Sequence, residues 1–364
     1  MSSTQRKILN IFAFRRIIVP VAIGLAVIIY MIMRDIGKGN LTGLAWTWNA
    51  VFYFFCSLLM LILRDAAYMY RIRLLTDKVL SWRKSFQVIM LWEFASSVTP
   101  SVVGGSAIAI FILAKEKLGA GRSTAIVIVT ALLDELFYLI MLPLVFLIAG
   151  FDRLAIVSNK IHVFGYSVGT MGIFYLGYAF ISILALLLAY GIFINPAGFG
   201  WLLDKLTNLP FLKSFKRDAR MMGNQVIETS VELKDKPVKY WSKAFGATVI
   251  SWTARFWLVN FLIMAFAGTM SWTDNMLVYA RQLMMWVIML ISPTPGGSGI
   301  AEYFFPIFLR EFIKGPQGDL STIVALFWRL MTYYPYLVLG ALILPLWLRR
   351  VYLGRKLIRF RKTK

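Results

Sequence analysis

The sequence has almost none of the side chains that bind metals or form disulfides. Its 364 residues include one cysteine, Cys56, and one histidine, His162. A lone cysteine excludes an intramolecular disulfide, and a zinc site needs several Cys or His ligands, so we expect no metal and no other cofactor. His162 lies in a polar connection, which makes catalysis by a Ser–His pair an unlikely mechanism for this chain.

Charged residues are scarce as well. They make up 15% of the chain, whereas 59% of it is hydrophobic, and a soluble domain carries about 25% charged residues. Several apolar runs reach the roughly 20 residues that a helix needs to cross a bilayer. The composition therefore predicts an all-α polytopic integral membrane protein.

Acidic residues are fewer than basic ones, 17 against 39, which gives a net charge of +22. Such an excess can indicate nucleic-acid binding. Here most basic residues fall in connections that we assign to one side of the membrane, as the positive-inside rule describes. The charge pattern predicts a multi-pass protein of the bacterial inner (cytoplasmic) membrane with both termini cytoplasmic. Its partners would be membrane lipids with anionic headgroups and not nucleic acid. A removable signal peptide is not indicated.

Helix-breaking residues interrupt two apolar runs in nearly the same way. The two stretches are Ser97-Val98-Thr99-Pro100 with Gly104-Gly105-Ser106, and Ser292-Pro293-Thr294-Pro295 with Gly296-Gly297-Ser298. Proline removes a backbone donor and glycine weakens a helix. Broken backbone at membrane depth is tolerated only where protein or a water-filled cavity covers it. A matched pair of such breaks points to the substrate site of a transporter.

The apolar runs predict about six transmembrane helices and two oppositely oriented re-entrant helical hairpins. The predicted spans cover residues 17–33, 44–63, 123–149, 166–194, 244–268 and 322–348. The hairpins cover residues 86–114, entered from the cytoplasm, and 276–309, entered from outside. If each hairpin arm crosses fully, the number of crossings becomes about ten, and charge does not separate the two cases.

The whole chain, 1–364, reads as a single membrane domain built from an inverted repeat, with halves at about 17–194 and 244–348. Lys115-Glu116 lies as many residues after Pro100 as Arg310-Glu311 lies after Pro295. Asp134 and Arg329 likewise lie at equal distances in sequence after these two prolines. Chance can give one such match, but several together favour a duplication. Residues 195–243 are predicted as a cytoplasmic amphipathic connector that dips into the inner leaflet, or as a plain connector. The tail, 349–364, is basic and predicted to be cytoplasmic.

Several charged residues lie inside the apolar runs: Glu93, Asp134, Glu135, Arg255, Arg281, Glu302 and Arg329. Each costs roughly 2.5–3.5 kcal/mol at a helix centre, so such residues usually face a cavity and pair with one another. One interpretation is structural: the charged residues form ion pairs that hold the helix bundle together. The other is functional: the acids, Glu93, Asp134, Glu135 and Glu302, pair with the arginines of the binding site or couple transport to protons. Arg281 is expected near an interface, where it can snorkel.

Half-helices that begin in mid-membrane direct unpaired N–H groups and a positive dipole end into a cavity, which suits an anion such as a phosphate. The predicted substrate-binding residues are Thr99, Pro100, Gly104, Gly105, Ser106, Arg255, Thr294, Pro295, Gly296, Gly297, Ser298, Gly299 and Arg329. The alternative is that the glycines only permit tight helix packing. A phosphate-binding P-loop is not indicated, because no Lys follows the glycines. Asp134 and Glu135, adjacent on a helix, do not form a hydrolytic dyad.

At these residues the chain resembles the flippase-like transmembrane region of bacterial lysylphosphatidylglycerol synthetases and the stand-alone membrane proteins that share it. The resemblance rests on residues 97–100, Asp134-Glu135, and the stretch 293–299 with Glu302. It implies translocation of lipid between leaflets. The two-domain synthetases carry a soluble aminoacyl-transfer domain after the membrane region. Only the basic tail follows here, so we predict neither lysyl transfer nor any other enzyme activity.

The leading interpretation is flippase-like translocation of an anionic phospholipid or lipid-linked molecule. One alternative is an ion-coupled transporter of a small soluble anion, and another is a membrane-embedded enzyme acting on lipid phosphates. A fourth is a scaffold that docks a partner through its basic tail. The sequence leaves open the lipid, the direction, the energy source and the oligomeric state, a homo-oligomer included.

Overall fold

The computed structural model describes residues 33, 47–99, 101–150, 160–163, 166–198, 201, 224, 227–289, 294–315 and 318–353. The predicted first span at 17–33 lies outside the described residues except for Met33. So do Pro100, most of the predicted connector, and the tail beyond residue 353.

In the first half of the chain the described residues form helices and one short hairpin. In chain order these are α1 Trp48–Leu75, α2 Trp82–Val98, α3 Ser101–Leu113, a π-helical turn Ala114–Leu118, α4 Ala120–Ala149, strands β1 Lys160–Val163 and β2 Tyr166–Gly169, α5 Thr170–Ala189, and a π-helical turn Tyr190–Ile194. β1 and β2 pair antiparallel. The first predicted break is present, because α2 ends at Val98 and α3 begins at Ser101.

The described part of the second half has the same number of α-helices as the first. Its elements are α6 Val238–Ala267, α7 Trp272–Met289, α8 Ile300–Leu309, a 3₁₀ turn Arg310–Phe312, strands β3 Lys314–Gly315 and β4 Gly318–Asp319, α9 Ser321–Thr332, α10 Tyr334–Leu348, and a π-helical turn Arg349–Leu353. The second predicted break separates α7 from α8. Together these elements give the predicted all-α membrane architecture, with two short β-hairpins added.

Five helical stretches within the described part of the chain are long and apolar enough to cross a membrane: Trp48–Leu75, Ala120–Ile148, Phe174–Ile194, Val238–Ala267 and Ser321–Val351. In Ala120–Ile148 and Val238–Ala267, 61% of the most apolar window is buried, against 22% in Trp48–Leu75 and Phe174–Ile194. Hence α4 and α6 are central helices, whereas much of α1 and α5 faces outward.

Several predicted boundaries were wrong. α6 begins at Val238, inside the predicted connector 195–243. The span predicted at 44–63 continues to Leu75, since no proline or glycine interrupts it. Residues 166–169 are a strand and not the start of a helix. The predicted span 322–348 is divided at Tyr333, whose φ of −125° and ψ of −59° separate α9 from α10. Pro335 stands in the first turn of α10, where its missing N–H costs no hydrogen bond.

Each half contains a long helix, a helix that ends at the break, a short half-helix and a further helix, in that order. The two long helices, α1 and α6, pack along each other. A buried or paired glutamate follows each half-helix: Glu116 contacts Arg350 and Trp347, and Glu311 pairs with Arg281. The predicted repeat halves are consistent with this order, and their origin by duplication stays a prediction.

The packed interior has two parts that meet at α4 and α6. One core gathers apolar residues of α1, α2, α3 and α10, and the other gathers those of α5, α7, α8 and α9. Because α10 packs on α2, the end of the chain covers the first half. The two breaks therefore face each other near the boundary between the cores.

Candidate functional site

A cavity of about 280 Å³ lies between the two broken runs. Side chains of α1, α2, α3, α4, α6, α7 and α9 line it together with both breaks. The predicted site residues that line it are Glu93, Thr99, Ser106, Asp134, Glu135, Arg255, Thr294, Gly296, Gly297 and Arg329. Residues from distant parts of the sequence thus meet in one space, as the matched breaks led us to expect.

The two breaks contact each other through Tyr333, the residue between α9 and α10. The hydroxyl of Tyr333 donates to the carbonyl oxygen of Ser97 at 3.2 Å and accepts from Ser298 Oγ at 3.1 Å. Gly296, with φ of +57°, lies so close that a Cβ there would stand 3.2 Å from the oxygen of Ser97. A side chain at this position would separate the breaks, which explains the need for glycine.

Other predicted binding residues lie beside the cavity without lining it. The helices α2 and α3 approach each other closely at Gly105, where a Cβ would stand 2.2 Å from Ser96 Oγ. This is the tight-packing role that we considered as the alternative. Pro295 lies in the turn of the second break, where its carbonyl accepts from the N–H of Ser298 at 3.0 Å. Gly104 belongs to α3, and Pro100 is outside the described residues.

Glu302 and Arg329 form a buried ion pair that fixes the start of α8. Arg329 Nε donates to Glu302 Oε1 at 2.7 Å, and the N–H of Gly299 donates to Glu302 Oε2, also at 2.7 Å. The guanidinium group also reaches the carbonyl oxygen of Gly296, at 3.3 Å. The carboxylate thereby satisfies a first-turn N–H of the half-helix.

Glu93 pairs with Arg64 of α1 and not with a predicted binding arginine. Arg64 is 1% exposed and also contacts Asp65 and the hydroxyl of Tyr336. That hydroxyl donates to Asp65 Oδ1 at 2.9 Å. The network joins α1, α2 and α10 next to the first break.

Asp134 pairs with Arg71, another residue of α1. Arg71 binds both carboxylate oxygens, with 3.3 Å between its second terminal nitrogen and Oδ2. It also donates to Thr248 Oγ1 at 2.8 Å, and Trp252 Nε1 donates to Asp134 Oδ1 at 2.8 Å. Bidentate pairing of this kind fixes the relative positions of α1, α4 and α6.

Arg64 and Arg71 are residues that the sequence analysis missed, because they fall between the predicted span 44–63 and the predicted hairpin 86–114, in a connection that we assigned to one side of the membrane. A signal was available: Arg64, Tyr68 and Arg71 recur at helical spacing in a run without proline or glycine. Arg281 was also misplaced. It is 3% exposed, donates to the carbonyl oxygen of Phe308 and pairs with Glu311 at 2.8 Å, so it does not snorkel.

Arg255 differs from these arginines. Its guanidinium group lies over the rings of Trp252, at 5.0 Å, and Trp286, at 4.5 Å. Within the described ranges no carboxylate forms an ion pair with it. Arg255 is half-buried and lines the cavity. The two indole rings hold a cation by cation–π attraction while its N–H donors remain free for a ligand.

Glu135 is the acidic counterpart of Arg255. It is 8% exposed and lines the cavity, yet its Oε2 atom has no hydrogen-bond partner in the part of the chain that the structure describes.

No group of three or more His, Cys, Asp or Glu side chains suited to a metal occurs among the residues described.

A comparison of sequences shows which proteins share this architecture. The profile of the family described as "Lysylphosphatidylglycerol synthase TM region" matches residues 17–340. The chain belongs to this family. The match covers both broken runs and every described residue of the cavity, so the features described above are those of a Lysylphosphatidylglycerol synthase TM region.

One curated relative is a protein of Archaeoglobus fulgidus named "UPF0104 membrane protein". It is 26% identical over 287 residues, which cover 75% of this chain and 79% of the relative. The match therefore extends over most of both membrane proteins. No solved structure shows significant similarity to the chain.

Proposed function

We propose that the protein translocates an anionic phospholipid or lipid-linked molecule between the leaflets of the bacterial inner membrane, with both termini in the cytoplasm. The observation that carries the proposal is Arg255: a cation that pairs with no described carboxylate and is held by two tryptophans in the cavity between the broken runs. An intramembrane cation of this kind has a free energy cost that an anionic ligand would offset.

The size of the cavity favours a headgroup as the bound part of the ligand. The cavity measures about 280 Å³, close to the lower end of the range of about 300–1,000 Å³ for pockets that hold a drug-sized molecule. A phosphate with a small substituent fits such a volume, whereas acyl chains would remain in the bilayer. Family membership supports a lipid substrate, because the family name refers to a synthase of a phosphate-bearing lipid.

The roles of the predicted residues can now be separated. Arg255 would bind the phosphate directly, with Thr99, Ser106 and Thr294 as neighbouring hydroxyl groups on the cavity wall. Arg329 would act mainly through its position, since Glu302 compensates its charge and the carbonyl oxygen of Gly296 accepts from both of its terminal nitrogens. Gly296 and Gly297 would allow backbone to approach the headgroup.

The test is leaflet-resolved transport of anionic phospholipid in proteoliposomes. Arg255→Gln should reduce the rate about tenfold or more, since a hydrogen bond to a charged group contributes about 1.5–3 kcal/mol. Arg255→Lys should give an intermediate rate, because it keeps the charge and loses the planar stacking on tryptophan.

Arg83→Gln is the matched control, because Arg83 is exposed and lies outside the cavity. Equal rates for Arg255→Gln and wild type would contradict the assignment of Arg255. Uptake of a free soluble anion without movement of lipid would favour the soluble-anion transporter instead.

A further inference from the structure

We propose that Glu135 binds and releases one proton in each transport cycle, so that a proton gradient drives translocation. The inference deepens the proposed function and rests on it: it names the energy source and the residue that carries it. It comes from a difference among the buried carboxylates at the cavity.

Of the four carboxylates that the sequence places in the apolar runs, three are held by an arginine. Glu93 pairs with Arg64, Asp134 with Arg71, and Glu302 with Arg329. Each of these carboxylates compensates the charge of a buried arginine, which would be left unpaired inside the protein without it. The pairs thus have a structural role that Glu135 lacks.

Glu135 has none of these constraints. It is 8% exposed, it forms no ion pair with any residue that the structure describes, and its Oε2 atom is buried without a partner. An ionised carboxylate in such surroundings is so unfavourable that the group takes up a proton instead. Because it lines the cavity, Glu135 can exchange that proton with water whenever the cavity is hydrated.

Two further unpartnered polar atoms lie on the same wall. Thr130 Oγ1 and the hydroxyl of Tyr138 are also buried without a hydrogen-bond partner among the described residues. Both side chains line the cavity and belong to α4, as Glu135 does. Buried polar atoms normally have partners, so water or the headgroup is the expected occupant beside Glu135.

The other charged groups of the cavity are accounted for. Those lining it are Arg71 from α1, Glu93 from α2, Asp134 from α4, Arg255 from α6 and Arg329 from α9. All except Arg255 are engaged in ion pairs. The tyrosines that line the cavity are Tyr68, Tyr138 and Tyr333. Those on the helices packed against α4 are Tyr175 and Tyr178 of α5, Tyr240 of α6 and Tyr279 of α7. Among the charged and acidic side chains of the cavity wall, Arg255 and Glu135 are thus the two that no ion pair with a described residue engages.

The negative charge of the bound headgroup and the positive charge of the proton on Glu135 balance each other. A bound phosphate diester places a negative charge at Arg255, and a second negative charge on Glu135 would repel it, so the headgroup favours the protonated acid. When the headgroup leaves, Arg255 is again an uncompensated cation, which favours loss of the proton from Glu135 to water. By linkage, the proton and the anion each increase the affinity for the other, and they cross together.

The first experiment detects the proton directly. Wild-type protein should show the infrared C=O stretching band of a protonated carboxylic acid near neutral pH, and Glu135→Gln should lack it. Glu232→Gln is the matched control, because Glu232 is a partly exposed acid of a surface ion-pair cluster. A band of unchanged intensity in Glu135→Gln would overturn the proton site, whatever the protein transports.

The second experiment measures coupling in proteoliposomes that carry an imposed pH gradient. With one proton per lipid, the wild type should shift the leaflet ratio of the lipid about tenfold per pH unit, because a tenfold ratio and one pH unit are the same free energy. Glu135→Gln should move lipid without this bias, and Glu135→Asp should retain it.

A bias in Glu135→Gln equal to that of the wild type would overturn the inference while leaving the proposed function intact. Absence of lipid movement by the wild type, with or without a gradient, would instead overturn the proposed function. Thermal unfolding of both variants identifies a loss of folding before either conclusion is drawn.

Discussion

Glu302 has two partners at the start of α8, and both it and Arg329 are at most 5% exposed. Removing one member of a buried pair leaves an uncompensated charge and costs about 3–5 kcal/mol. We therefore expect Glu302→Ala and Arg329→Ala each to lower the free energy of unfolding in detergent by this amount. The double variant should lose clearly less than the sum, because it leaves no unpaired charge.

Additive losses in this double-mutant cycle would show that the two side chains do not act as a unit. Arg83→Ala, at an exposed position, controls for the loss of an arginine side chain as such, and we expect it to change the free energy of unfolding by less than about 0.5 kcal/mol.

At the residue scale, burial of the charged groups was easier to predict from the sequence than their ion-pair partners. Glu302 and Arg329 meet as expected, because both neighbour the second break. Glu93 and Asp134 pair with Arg64 and Arg71 instead of Arg255. Pairing across helices depends on how the helices are rotated against each other, which spacing within one helix does not determine.

Single glycines decide how closely the helices pack. Gly340 of α10 lies against Phe94 of α2, where a Cβ would stand 2.2 Å from the Cβ of Phe94. Gly340→Ala should therefore force α10 away from α2 and lower the free energy of unfolding by about 1–3 kcal/mol, as overpacking does. Thermal unfolding in detergent measures the change.

Gly246 in α6 is the matched control, since a Cβ there would meet nothing within 4 Å. Alanine should stabilise that helix by about 0.5–1 kcal/mol. If Gly340→Ala and Gly246→Ala behaved alike, close approach of α10 and α2 would not be the reason for glycine at position 340.

At the element scale, strong local signals located both breaks, because proline and glycine limit a helix wherever it packs. The division at Tyr333 has the weaker signal of Pro335, which is compatible with either a kink or a new helix. The continuation of α1 to Leu75 had no local signal as strong as a proline or glycine. Arginines such as Arg64 and Arg71 are typical of a helix end at the membrane surface, and only their partners on other helices make their burial favourable.

At the scale of the whole molecule, Tyr333 is a contact that joins the two breaks at the cavity. Tyr333→Phe removes both hydrogen bonds of its hydroxyl, each contributing about 0.5–1.5 kcal/mol. We expect faster hydrogen exchange at both breaks, near Ser97 and Ser298, because the loss loosens them together. Exchange in α5, none of whose residues lines the cavity, should not change. Faster exchange at one break alone would contradict a shared contact.

The single cysteine has a practical consequence. Cys56 lies half-buried on α1 and is the chain's one thiol, so Cys56→Ser yields a protein on which maleimide reagents find no target. Two cysteines placed on α3 and α8 would then carry spin labels or a fluorophore pair without a background signal. The distribution of distances between the two labels, recorded with and without lipid, would show how far one half moves against the other.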